Sequence, residues 1–510
     1  MIKLARTLVS TVSALALVAP ALAQSALPQA TDSYFMSAQE SLAALIAQQP
    51  NTGKAKNVIL FVGDGMSIPT ITAARIFEGQ ERGVDGESNS LSFEKLLPYV
   101  ALSKTYTHDS QVADSAPTAT AMTTGVKSVN GTIGVNQSVV LEDCSTQAKA
   151  TVTSIFEQAE AAGLATGVVS TARITHATPA ATYAHSAGRD WENDTNLPEG
   201  TTECADIASQ LVNWPAGDGF EVILGGGRAN FMTAETADPE YPEKTGSRKD
   251  GHDLVAEWQA KYNDGAYVWN KEQFDAVDIA TTKHLFGLFE GSHMQYEADR
   301  AKDAGGEPSL AEMTVKSIEM LSQNENGFVL MVEGGRIDHA HHAGNAARAL
   351  MDTVALSEAV QAAYDAVNPE ETLIVVTADH SHVFSIAGYP VRGNPILGIG
   401  GTADDGKAYT TLGYMNGPGA AVYEGEAPVA PEGAEADAPL TIRADPAGVD
   451  TTDLDYLQQA LVPLGSESHA GDDVAIFAQG PWAHLFHGVV EQNVIYHVMA
   501  KAIGLDGAAK

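Results

Sequence analysis

The chain has 510 residues, 44% of them hydrophobic and 18% charged, with a formal charge of −36 from 29 basic and 65 acidic residues. That composition is globular, not disordered, and the length suffices for a large core. The acidic balance excludes phosphate-backbone binding, which needs clustered lysine and arginine, so no nucleic-acid-binding module is expected.

Lys3 and Arg6, an apolar run from Leu8 to Pro20 and the small-residue pattern Ala21-Leu22-Ala23 read as a secretory signal cleaved near Ala23. That run is too short for a membrane span, and no later stretch is long and apolar enough to form one. The expectation is an exported protein, periplasmic or secreted, with residues 24–510 forming one domain. Export makes Cys144 and Cys204 candidates for one disulfide, against the alternative of two separate buried thiols.

Residues 24–56 read as a polar lead with one short helix. Asn57-Val-Ile-Leu-Phe-Val62 is an uninterrupted apolar run, the pattern of a strand buried on both faces, and Gly63-Asp64-Gly65 breaks it sharply. The stretch Gln111–Gly125 then places Ser115 at the mouth of a helix that Asp114 can cap and Pro117 can enter. Unpaired amides at such a mouth favour an alkoxide or a bound phosphate. Further strands are expected at 166–170, 220–224, 327–332, 373–377 and 474–478. Helices are expected at 309–323 and 345–367. Alternation of this kind predicts an α/β fold with a mainly parallel sheet covered by helices on both faces, its functional groups gathered beyond the strands' carboxyl ends. Two regions break the rhythm and read as surface insertions, about 229–275 and about 389–463.

Three motifs carry metal-ligand chemistry. Glu333-Gly-Gly-Arg-Ile-Asp338-His-Ala-His-His342 puts Asp338 and His342 four apart, on one face of a helix. Thr377-Ala-Asp379-His380-Ser-His382 closes a strand with a carboxylate beside an imidazole, and Ser468-His469-Ala-Gly-Asp472 precedes the last strand of the six. Gly225-Gly-Gly-Arg228 lacks both nucleotide-loop patterns and reads as a tight turn.

With Asp114-Ser-Ala-Pro-Thr-Ala-Thr-Ala121, Glu467-Ser-His-Ala-Gly471 and the first two of those motifs, the chain resembles the alkaline phosphatases over nearly its whole mature length. It is closer to the animal enzymes than to the enterobacterial one. The resemblance implies a hydrolase of phosphate monoesters with Ser115 as nucleophile, acting as a homodimer. It also implies a first zinc on Asp338, His342 and His469, a second on Asp64, Asp379 and His380, and a magnesium on Asp64, Thr178 and Glu333. Arg189 would clamp two phosphate oxygens. His176 and His339 stand beside the magnesium site, where the enterobacterial enzyme has an acid and a lysine. A calcium is implied on Glu240, Glu290, Glu307 and the carbonyl of Phe289, an all-oxygen set suited to that ion. The nearest alternatives are a diesterase or phosphonate hydrolase built on the same two-zinc core, and a metal-storage protein. The storage reading gives Ser115 no use.

Overall fold

The computed structural model describes residues 27–420 and 443–507. The expected signal segment, Met1 to Ala23, and part of the second expected insertion lie outside the described residues. By its contacts the chain divides into Met1–Gln49 and Pro50–Lys510. The described part of the first unit holds one helix, Ser33–Ala47, which has no buried residue and exposes Leu42, Leu45 and Ile46.

The second unit is organised by a ten-stranded sheet. Its strands are β1 (Asn57–Gly63), β2 (Tyr99–Lys104), β3 (Ala165–Arg173), β4 (Val222–Gly226), β5 (Gly265–Val268), β6 (His284–Leu288), β7 (Phe328–Gly334), β8 (Thr372–Ala378), β9 (Val474–Gln479) and β10 (Gly488–Glu491). The spatial order is β10-β2-β9-β8-β1-β7-β3-β4-β6-β5, and β9 alone runs against the rest. All six strands expected from continuous apolar runs are present. β1 sits at the centre because both of its faces are apolar. Val58, Leu60 and Val62 join one hydrophobic layer, and Ile59 and Phe61 join the other.

The region expected as an insertion at about 229–275 is not wholly peripheral. It supplies the edge strand β5 and a helix, Leu254–Lys261, that buries Leu254 and Trp258. Within the second region, Leu412–Gly417 pairs with Phe384–Ile386 and Ala460–Pro463 in a small separate sheet. Cys144 and Cys204 form a disulfide with their Cα atoms 5.7 Å apart. Across a separation of 60 residues, such a link contributes about 4 kcal/mol in the chain-entropy description.

At the end of the sheet away from the metal motifs, Glu160 accepts from the Thr166 hydroxyl at 2.6 Å, and Glu221 accepts from the Thr166 amide at 2.7 Å. Burial and neighbouring acids push Glu160 up to about 8 and Glu221 up to about 7. Between the ordinary glutamate value and 8 the folded chain therefore binds more protons than the unfolded one, so this contribution to stability declines across that interval and is fully lost once pH passes about 8. Glu160→Gln, which mimics the protonated acid, should gain melting temperature relative to the parent protein between pH 6 and pH 9. A difference that stays constant with pH would show that Glu160 does not titrate in this window.

Candidate metal centre

Register sets the site. Gly63 lies level with Gly334 of β7 and with Ala378 of β8, so the residues that follow β1 and β8, Asp64 and Asp379, leave the sheet side by side, with Glu333 the next-to-last residue of β7. Because β9 is antiparallel, its entrance falls at the same end. The preceding bridge, His469–Ala470 against Ser381–His382, brings His469 there. Gly65 has φ +65°, and a Cβ on it would stand 2.3 Å from the His382 ring, so a glycine is required after Asp64 for both reasons.

The nucleophile candidate opens the helix Ser115–Thr124, every residue of which is buried. Asp114 caps it, with Oδ1 accepting from the Ala116 amide at 2.7 Å. The same oxygen accepts from Arg189 Nη1 at 3.0 Å, while Arg189 Nη2 donates to His176 Nε2 at 3.1 Å. One acid thus positions both the serine and the guanidinium.

Two donor sets meet beside Ser115. In one, His342 Nε2 is 3.3 Å from Asp338 Oδ1, and His469 Nε2 is 3.4 Å from that oxygen and 3.1 Å from His342 Nε2. In the other, His380 Nε2 is 3.3 Å from both Asp64 Oδ1 and Asp379 Oδ2, and 3.1 Å from Ser115 Oγ. Ligands of a tetrahedral zinc at ~2.0–2.1 Å stand about 3.3 Å apart, so both sets have its edge length. The second set is fully buried, whereas His342 and His469 remain partly exposed, which leaves an open side for a reactant.

Electrostatics point the same way. Burial and the charges of its neighbours, Asp379 first, raise Asp64 well above the carboxylate range, and burial raises Asp379. Burial and the Asp379 charge push Glu333 up to about 7, although contacts with Ser170, Thr178 and Asp64 act against this. Asp64 Oδ2, Asp379 Oδ2, Glu333 Oε1 and Thr178 Oγ1 are all buried without a hydrogen-bond partner of acceptable geometry. Buried oxygens left unsatisfied beside mutually repelling carboxylates fit cations.

His176, His293 and His339 bring ring nitrogens within 4.8 Å of one another. Burial, reinforced by nearby guanidiniums, holds all three well below the usual imidazole value. Away from the nucleophile, oxygens of Glu240, Glu290 and Asp303 cluster within 4.8 Å. Both Asp303 oxygens are buried without a hydrogen-bond partner of acceptable geometry. Glu307 stands next to them, pushed up to about 8 by burial and by the Asp303, Glu290 and Glu240 charges, and accepts from the Gln295 amide at 3.0 Å. Phe289 is buried before Glu290, its amide bonded to the Gly225 carbonyl.

Sequence reasoning missed four residues here. His382 donates from Nε2 to Asp338 Oδ1 at 2.8 Å, and its Nδ1 meets Glu467 Oε2, so a buried glutamate braces a ligand through an imidazole. The His-Ser-His spacing at 380–382 could have flagged His382. Asp303 and His293 lie in a segment whose path the sequence does not reveal.

The family model for alkaline phosphatase matches residues 55–505. The chain is 47% identical to the tissue-nonspecific alkaline phosphatase of Gallus gallus, over 91% of this chain and 88% of that one. It is 46% identical to the alkaline phosphatase of Gadus morhua, over 90% and 94%. The Thermus thermophilus alkaline phosphatase structure superposes with a TM-score of 0.61 at 25% identity, covering 91% of this chain and 95% of that one. The chain belongs to the alkaline phosphatase family and is a phosphatase, closer in sequence to the animal members.

Proposed function

We propose that the chain is an exported phosphomonoesterase working through a phosphoserine on Ser115, with two zinc ions and one magnesium. The observation that carries this reading is the set of buried oxygens on Asp64, Asp379, Glu333 and Thr178 that lack a well-formed hydrogen bond, beside a capped serine. Asp338, His342 and His469 would hold one zinc, Asp64, Asp379 and His380 the other, and Asp64, Thr178 and Glu333 the magnesium. Bound there, the zinc ions lower the pKa of the serine hydroxyl and offset charge on the leaving oxygen. Ser115 Oγ, having given its proton to solvent, forms its bond to phosphorus as the bond to the alcohol oxygen breaks, and the departing alkoxide takes a proton from solvent. A water, losing a proton, then attacks the phosphoserine, the electron pair of the breaking bond returns to Oγ, and Oγ is reprotonated. Arg189, held by Asp114, binds two phosphoryl oxygens throughout.

Export is supported by the A-x-A pattern at 21–23 and by the Cys144–Cys204 disulfide, which persists in oxidising compartments. No described helix is long and apolar enough to cross a membrane. The homodimer is supported by the Ser33–Ala47 helix, whose exposed Leu42, Leu45 and Ile46 a second copy would cover.

Arg189→Ala tests the monoester reading. Losing a charged two-bond contact should reduce kcat/KM for a monoester about 100-fold, and for a diester, which lacks the third free oxygen, much less. Equal losses on both substrates would refute a monoester-specific clamp.

Calcium would bind Glu240, Glu290, Glu307 and the Phe289 carbonyl, joined by Asp303. Protein stripped with a chelator and reloaded with zinc and magnesium should then gain on the order of 5 °C in melting temperature on calcium addition. Glu290→Gln should remove the gain. A parent protein whose melting temperature ignores calcium has no such site.

A further inference from the structure

His293 is the one member of the three-histidine group that no motif suggested. Its loop is anchored on both sides: the Ser292 carbonyl accepts from the Gly227 amide at 2.6 Å, and the Met294 amide donates to the Thr171 carbonyl at 3.0 Å. Its ring is anchored as well. Arg173 Nη1 meets His293 Nε2, and the Arg173 amide lies 3.2 Å from Nδ1. A neutral imidazole has one lone pair and accepts from one donor at a time, the charged guanidinium being the stronger. Arg173 is itself fixed by both oxygens of Glu192, which also accepts from Thr175 and Asn230.

His176 is placed differently. Its side chain makes one hydrogen bond, Nε2 accepting from Arg189, and its Nδ1 is buried without a partner. What holds its ring is packing: edge-on against His293 at 5.3 Å and tilted against His339 at 5.4 Å, with His293 and His339 in turn 4.0 Å apart. The nitrogen spacing within the group would suit a metal. However, the lone pairs on His293 Nε2 and His176 Nε2 already face guanidinium donors, so we assign it none.

We infer that His293 is a positioning residue for the phosphate clamp: its pinned ring sets His176, and His176 sets the second arm of the Arg189 fork. Asp114 fixes the first arm, so without His176 the guanidinium keeps its place and loses its plane. This rests on the reading of Arg189 as the clamp.

The test uses the metal-loaded enzyme, a phosphate monoester and inorganic phosphate as competitive inhibitor. His293→Ala should raise both KM and the phosphate inhibition constant about three- to tenfold, with kcat unchanged or higher. His293→Phe, which keeps a ring against His176 and His339 but gives up the Arg173 bond, should recover only part of that loss, and complete recovery would overturn the role of the pinned ring. In an Arg189→Ala background, His293→Ala should change neither constant further. An unaltered phosphate inhibition constant in His293→Ala, where Arg189→Ala raises it, overturns the inference. So does a fall in kcat alone, or full additivity of the two substitutions. If Arg189→Ala itself leaves phosphate inhibition unchanged, the clamp reading fails and the inference falls with it.

Discussion

Ser115→Ala is expected to abolish labelling of the protein by phosphate trapped at mildly acid pH, and to lower kcat/KM by at least roughly 10³-fold. The metals should stay bound. The hydroxyl lies 3.1 Å from His380 Nε2 and 3.4 Å from Asp64 Oδ1, yet those two groups have other support. His380 also contacts Asp379, whose Oδ1 is fixed by the Gly65 and His380 amides. Loss of the oxygen therefore removes the attacking atom without dismantling its surroundings. Labelling of the alanine variant at the level of the parent protein would place the nucleophile elsewhere.

Removal of metals should have a comparably large effect. Without cations, Asp64, Asp379 and Glu333 are three buried acids raised above their ordinary range by burial and by neighbouring carboxylate charges, with Asp64 Oδ1 3.4 Å from the serine hydroxyl. Chelation should cost several kcal/mol of transition-state stabilisation, more than about 10³-fold in rate. Zinc should restore turnover and magnesium should add to it, because the nitrogen donors of His342, His380 and His469 suit zinc and the oxygens around Glu333 suit magnesium. Recovery with calcium alone would contradict the two-zinc reading.

How much of this was legible depended on burial. β1, β7 and β8 are buried on both faces, so their sequences are continuous apolar runs and could be read directly. β2 and β10 sit at one margin with partly exposed residues such as Val100 and Val489, and β5 closes the other margin, so their runs are short and mixed. β6 is fully buried, but it opens with a histidine and is interrupted by Gly287. The helices were read from their ends. Ser309 and Asn345 cap Leu310–Leu321 and Ala346–Ala366 within a residue or two of expectation. In the site, the spacing of Asp338 and His342 on one helix could be derived. The convergence of Asp64, Ser115, Asp379 and His469 could not, because it depends on strand order, and there family resemblance supplied what periodicity lacked. His382, Glu467, Asp303 and His293 act through contacts between segments far apart in sequence, which one chain read alone does not record.

The central position of β1 has a consequence for how the molecule is made. Its two neighbours, β7 and β8, begin at Phe328 and Thr372, so β1 gains its first partner after some 265 further residues exist and its second only after some 310. One donor set waits for residue 380 and the other for residue 469. Contacts so distant along the chain make for slow folding and for exposed intermediates. Helical and strand content should thus return early on refolding, and metal-dependent turnover last, after a lag set by the pairing of strands from opposite ends of the chain.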